Sequence, residues 1–179
     1  MAYTTNWLSV ESWQSSGRMD LSSEAVASAN VPDDALAALE GYGLPREVEG
    51  MFYPCENHRP LEPVDLPDGT RAHVLGQNET GIAGIYCLDS AGRVVHLLNG
   101  DLRSVNTSLP AFLDALAAWQ GFLQAFPEED EGDDDAYEKS RTSYGKKLAR
   151  AVKRADRKAY RKRGSWWSRV YEDVKRGLL

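Results

Sequence analysis

The chain is poor in the residues on which catalysis, metal binding and covalent cross-links rest. Of 179 residues only two are cysteine, Cys55 and Cys87, and they form no CxxC or CxxxC pair. Only three are histidine, His58, His73 and His96, and they fall in no HxH, HxxxH or HExxH arrangement. Zinc and di-histidine chemistry therefore lack their sequence signature. No GxSxG elbow presents a serine nucleophile. Gly145-Lys146-Lys147 ends like a phosphate-binding loop, but the earlier glycine falls on Ser140, and Lys147 stands where Ser or Thr would hold magnesium. A calcium loop centred on Gly132 would begin at Pro127, which has no ligating side chain. Long apolar runs are absent too: none approaches the roughly 18 residues a membrane span requires. The start, MAYTTNWLSVESW, has neither a basic nor an apolar leader segment. These absences lead to the expectation of a cytoplasmic protein that is not an enzyme, takes no cofactor or metal and does not enter membranes. In that compartment the two cysteines are expected as thiols.

What the chain does have is charge, unevenly distributed. Residues 1–136 contain 6 Lys/Arg against 23 Asp/Glu, whereas residues 137–179 contain 15 Lys/Arg against 4 Asp/Glu. An acidic body is thus followed by a basic segment. Such asymmetry points to a charged partner, or to the two parts engaging each other.

Periodicity divides the chain further. Val31-Pro32-Asp33-Asp34 opens a helix, with proline at the first turn and acids at the positive end, and Gly43-Leu44-Pro45 stops it. Residues 50–70 are broken by Pro54, Pro60, Pro63 and Pro67 into short strands and turns. Arg71–Gly76, Ile82–Leu88 and Arg93–Leu98 read as three strands of an antiparallel meander, the last closed by Asn99-Gly100. Trp7, Leu8, Val10 and Trp13 suit an edge strand or a short helix.

Ser108 caps the strongest helical pattern, in which Phe112, Leu113, Leu116, Trp119, Phe122, Leu123 and Phe126 recur at three- and four-residue spacing. A basic helix is expected from Tyr137 to about Gly164, with the narrow stripe Tyr144, Leu148, Val152, Ala155, Ala159. Ser165 then caps a terminal helix with Trp166, Trp167, Val170, Tyr171, Val174 and Leu178 on its apolar face. The expected fold is α+β, a mainly antiparallel mixed sheet packed by helices. Its parts are an acidic body (1–127), an acidic linker (128–136), the basic helix (137–164) and a terminal helix (165–179), making one domain overall.

Two surfaces are candidates for a partner. The acidic one comprises Glu47, Glu49 and Glu56 together with the run Glu128, Glu129, Asp130, Glu131, Asp133, Asp134 and Asp135. Asp133–Asp135 read as a solvated linker rather than a cation site. The basic one comprises Lys146, Lys147, Arg150, Lys153, Arg154, Arg157, Lys158 and Arg161. Nucleic acid is the alternative partner there, set against cations that solvate the helix or lie on the acidic body.

The order of features resembles a known family. A helix ending in Gly43-Leu44-Pro45 is followed by Leu75-Gly76, then Ile85-Tyr86-Cys87-Leu88-Asp89 and Gly92-Arg93-Val94. Val105-Asn106-Thr107-Ser108-Leu109 then leads into Phe112-Leu113, and a helix containing Trp167-Ser168-Arg169-Val170 ends the chain. This succession, over roughly 31–126 and 165–179, is similar to the SUKH superfamily of immunity proteins, in particular its fourth subfamily. The resemblance implies an α+β fold and a cognate toxin, such as a nuclease or deaminase, inhibited by occlusion of its active site or substrate groove. It carries no catalytic residues. The basic helix is not part of the resembling pattern.

Overall fold

A computed structural model describes residues 17–78, 84–125, 134–161 and 164–178, with only the backbone described for 134–138. Two short helices, α1 (Ser23–Ser28) and α2 (Asp33–Gly41), precede the strands β1 (Pro63–Asp65), β2 (Arg71–Gln77), β3 (Ile85–Asp89), β4 (Val94–Leu98) and β5 (Asp101–Asn106). Helices α3 (Leu109–Ala125), α4 (Asp134–Ala155), α5 (Arg157–Tyr160) and α6 (Trp166–Arg176) follow. The strands pair antiparallel in the order of the sequence, β1-β2-β3-β4-β5, so no parallel pair is found among the described residues. The fold is α+β, as expected. Trp7, Leu8, Val10, Trp13 and Ile82 lie outside the described residues.

Local chemistry explains the meander. The buried Asp89 accepts hydrogen bonds from the backbone N–H groups of Ala91 (3.0 Å) and Arg93 (2.9 Å) and from Arg93 Nε (2.7 Å). With Gly92 at φ 78°, this closes the β3–β4 turn. Asn99 and Gly100 both take positive φ, 51° and 83°, the requirement of a two-residue hairpin whose twist matches its strands. That hairpin delivers β5, a strand absent from the sequence-based expectation, which closed the sheet at Asn99-Gly100. In contrast, the proline-punctuated region yields one three-residue strand, β1, and isolated bridges such as Tyr53 to Gln77.

One sheet face carries the main core. Tyr86 and Phe112 are 5.1 Å apart between ring centroids, and Phe52 stacks on Tyr86 at 6.0 Å. Leu88, Val94, Val105, Leu116 and Trp119 extend the same cluster. Ser108 Oγ accepts from Ala111 N–H at 3.3 Å, capping α3 as expected. Gly76 sits where β2 bulges, and a Cβ there would lie 2.5 Å from Phe52 Cζ and 2.6 Å from the Tyr53 carbonyl oxygen. Gly76→Ala is therefore expected to destabilise the fold by about 1–3 kcal/mol, because ring and backbone must both retreat from a packed core. A urea midpoint equal to that of the wild type would contradict this packing.

The basic segment departs from expectation. It is not one helix to Gly164: α4 starts as early as Asp134, ends at Ala155, and Asp156 leaves helical geometry at φ −149°, ψ 89° before the single turn of α5. Leu148 and Val152 are buried, while Tyr144 and Ala159 pack on the core. Gly145, earlier weighed as part of a phosphate loop, permits close approach of α4 and α6: a Cβ there would meet Val174 Cγ1 at 3.3 Å. In α6, Ser165 holds the cap position but makes no side-chain cap bond, and Leu178 lies exposed beyond Gly177 rather than on the apolar face.

Candidate partner surfaces

The break at Asp156 is built from buried polar groups. Asp156 Oδ2 accepts from Thr107 N–H (2.6 Å), Thr107 Oγ1 (3.0 Å) and Asn106 Nδ2 (3.3 Å), and Oδ1 accepts from Ala159 N–H (2.9 Å). Trp167 Nε1 donates to Asn106 Oδ1 at 2.9 Å. Asn106, Asp156 and Trp167 are all buried. One carboxylate thus ties the end of β5 to the α4–α5 corner, and through Asn106 to α6. Burial pushes the Asp156 pKa up, but the bonds from Thr107, Ala159 and Asn106 outweigh it and hold the carboxyl below its usual range. Asp156 is the sole acid between Lys139 and Tyr171, a signal present in the sequence but absorbed into the expected helix.

The corner makes the basic segment turn back. Beyond it, α5, the turn at Gly164 (φ 80°) and α6 enclose a groove of about 940 Å³ lined by Lys153, Arg157, Arg161, Arg169 and Arg176, with Tyr160, Tyr171, Glu172 and Asp173 among them. A second groove, about 740 Å³, shares Gly164, Arg169 and Asp173 with the first and adds Arg103, Lys158, Ser165 and Trp166. Of the basic candidates, Lys146, Lys147, Arg150, Lys153, Arg154, Arg157, Lys158 and Arg161 are all exposed. Among the described residues none of these eight forms an ion pair with a carboxylate. Sequence reasoning did not foresee the part of Arg103, from the distant strand β5, or of Arg169 and Arg176, from the helix that follows the basic run.

The acidic candidates are only partly visible. Glu47 and Glu49 flank the buried Val48 on an exposed loop, and Glu56 is exposed further along the same segment. The loop is fixed to the core: Trp119 Nε1 donates to the Glu49 carbonyl at 2.8 Å, and Gly50 N–H donates to Tyr53 Oη at 2.8 Å. Glu56 N–H donates to Gln77 Oε1 at 3.4 Å. The three carboxylates form no ion pair among the described residues. Glu128, Glu129, Asp130, Glu131 and Asp133 lie outside the described residues, and Asp134 and Asp135 open α4.

The strand histidines and the two cysteines make local contacts. His73 Nδ1 lies 3.1 Å from the Leu61 carbonyl oxygen. His96 Nε2 lies 3.1 Å from Asn78 Oδ1 and its ring packs on Trp166 at 4.5 Å; burial, then the nearby Arg103 charge, push its pKa down to about 4. Both cysteines are free thiols. Burial and the Glu62 charge raise Cys55 to about 11, and burial and Cys55 raise Cys87 to about 12, so neither is a thiolate at neutral pH. No helix among the described residues is long and apolar enough to cross a membrane.

A family model described as SUKH-4 immunity protein matches residues 9–173. The chain belongs to the SUKH-4 immunity protein family. Membership gives it a role in immunity to a toxin, with a cognate toxin as partner, and points to a non-enzymatic role. The matched span runs through α4 and α5, so it also covers the basic segment between the two stretches on which the sequence resemblance was seen. No curated protein and no solved structure matches the chain.

Proposed function

We propose that the protein neutralises a toxin acting on nucleic acid or nucleotides, a nuclease or deaminase, by laying its acidic body over the toxin's basic substrate groove. The observation that supports this most directly is the loop carrying Glu47, Glu49 and Glu56: three exposed carboxylates, unpaired among the described residues, on backbone pinned by Trp119 and Gln77. A rigid loop loses little conformational entropy on docking. Carboxylates that have no internal partner are available to stand in for substrate phosphates and to steer encounter. In the sequence, the acidic run between Glu128 and Asp135 adds further negative charge.

The cognate toxin, isolated by pull-down from the native cell, provides the test. Glu47→Lys/Glu49→Lys/Glu56→Lys is expected to weaken toxin binding by about tenfold or more, mainly through slower association, with a shallower salt dependence than the wild type. An unchanged association rate in the folded triple variant would refute the acidic interface.

A further inference from the structure

We infer that the α4–α6 corner is a binding surface for single-stranded nucleic acid, separate from the acidic loop proposed for the toxin. The inference rests on convergence. A straight basic helix offers no groove, but the break at Asp156 and the turn at Gly164 fold the chain so that Arg157 and Arg161 line one cleft with Arg169 and Arg176. The second groove continues round the corner through Arg169 to Arg103 and Lys158. Arginine predominates, and its planar fork suits phosphate oxygens.

Of the cations lining the first groove, Lys153 lies 4.4 Å over the Tyr160 ring, and the arginines are left without internal partners among the described residues. Among the described residues Arg157, Arg161, Arg169 and Arg176 make no ion pair, and Glu172 and Asp173 are the acids lining the cleft. The acidic start of α4 is remote from Arg157 and Arg161: a 22-residue helix is about 33 Å long, several times the roughly 8 Å screening length at physiological salt.

Aromatic rings favour a single strand over an acidic peptide. Tyr160 and Tyr171 line the first groove and Trp166 the second, so rings and cations share the surface, with Lys153 over Tyr160 at 4.4 Å and Lys175 over Tyr171 at 5.8 Å. Unpaired bases stack on such rings, whereas a duplex hides its faces and a carboxylate chain has none.

The experiment is fluorescence anisotropy with the full chain and a labelled 20-nucleotide RNA, its duplex, and a poly-glutamate peptide of equal charge. Binding of the single strand is expected to be stronger than that of the duplex or peptide, with affinity falling steeply as salt rises. Arg157→Gln/Arg161→Gln/Arg169→Gln changes exposed side chains only. It is expected to weaken RNA binding about tenfold or more and to reduce the magnitude of the log–log salt slope by about 2, three lost phosphate contacts at roughly 0.7 each. Its circular dichroism should match the wild type. No RNA binding at 0.1 M salt, equal binding of peptide or duplex, or an unchanged slope in the folded triple variant would each overturn the inference.

Discussion

Asp156→Ala is expected to destabilise the protein by about 3–5 kcal/mol, because it leaves several buried donors without an acceptor. Thr107 N–H, Thr107 Oγ1 and Asn106 Nδ2 converge on one carboxylate oxygen, and Ala159 N–H on the other. Asn106 would lose one of its two anchors, Trp167 being the other. Asp156→Asn keeps one acceptor oxygen and should cost less, since it gives up the cap on Ala159 while retaining bonds from Thr107.

The effect should depend on pH with a definite sign. The folded-state pKa of Asp156 is depressed, so its ionised form contributes stability that is fully present above the unfolded carboxylate value of about 3.9 and is lost as pH falls through the folded value. Urea midpoints of wild type and Asp156→Ala should lie far apart at pH 7 and converge below about pH 4. A gap that stays constant into acid would mean that packing, not the charge-assisted bonds, holds the corner.

Trp119→Ala is expected to cost a similar amount, about 3–5 kcal/mol, by emptying a large buried site in α3. The ring packs against Phe122 at 5.3 Å between centroids, and Gly50 lies close enough that a Cβ there would touch the indole at 3.8 Å. Its N–H also holds the Glu49 carbonyl, so the loss falls on the loop that presents Glu47 and Glu49. Thermal unfolding should show the stability loss, and hydrogen exchange should show faster exchange at residues 47–52 than elsewhere. Trp119→Phe separates the two contributions. It restores most of the packing but not the hydrogen bond, so most of the stability should return while loop protection stays reduced. Equal loop protection in wild type and Trp119→Phe would show that the indole hydrogen bond does not anchor the loop.

Much of the fold was legible because its signals are local. Pro32-Asp33-Asp34 begins α2 and Gly43 ends it, since proline, acids and a positive-φ glycine act on the nearest turn of backbone. The β3–β4 turn is equally local, held by Asp89 bonds to Ala91 and Arg93 and by Gly92 at positive φ. Asn99-Gly100 was recognised as a turn, yet the strand it delivers was not. Asp101–Asn106 contains Asp, Arg, Ser and Asn, whose preference for a strand comes from pairing with β4 rather than from the residues themselves.

The partner surfaces divide along the same line. The sequence by itself determined the polarity of the molecule, an acidic body and a basic end, because charge is a property of each residue wherever the chain goes. It also carried the order of glycines and aromatics by which the family resemblance was seen. Only the tertiary structure decided where the basic helix breaks, since Asp156 leaves the helix to meet Thr107 and Asn106, residues about fifty positions away. That long-range bond turns a helix whose cations cover all but a narrow apolar stripe into a corner where arginines of two helices line one cleft. No local pattern encodes it: periodicity reports which residues share a face, not which distant donors will claim a carboxylate.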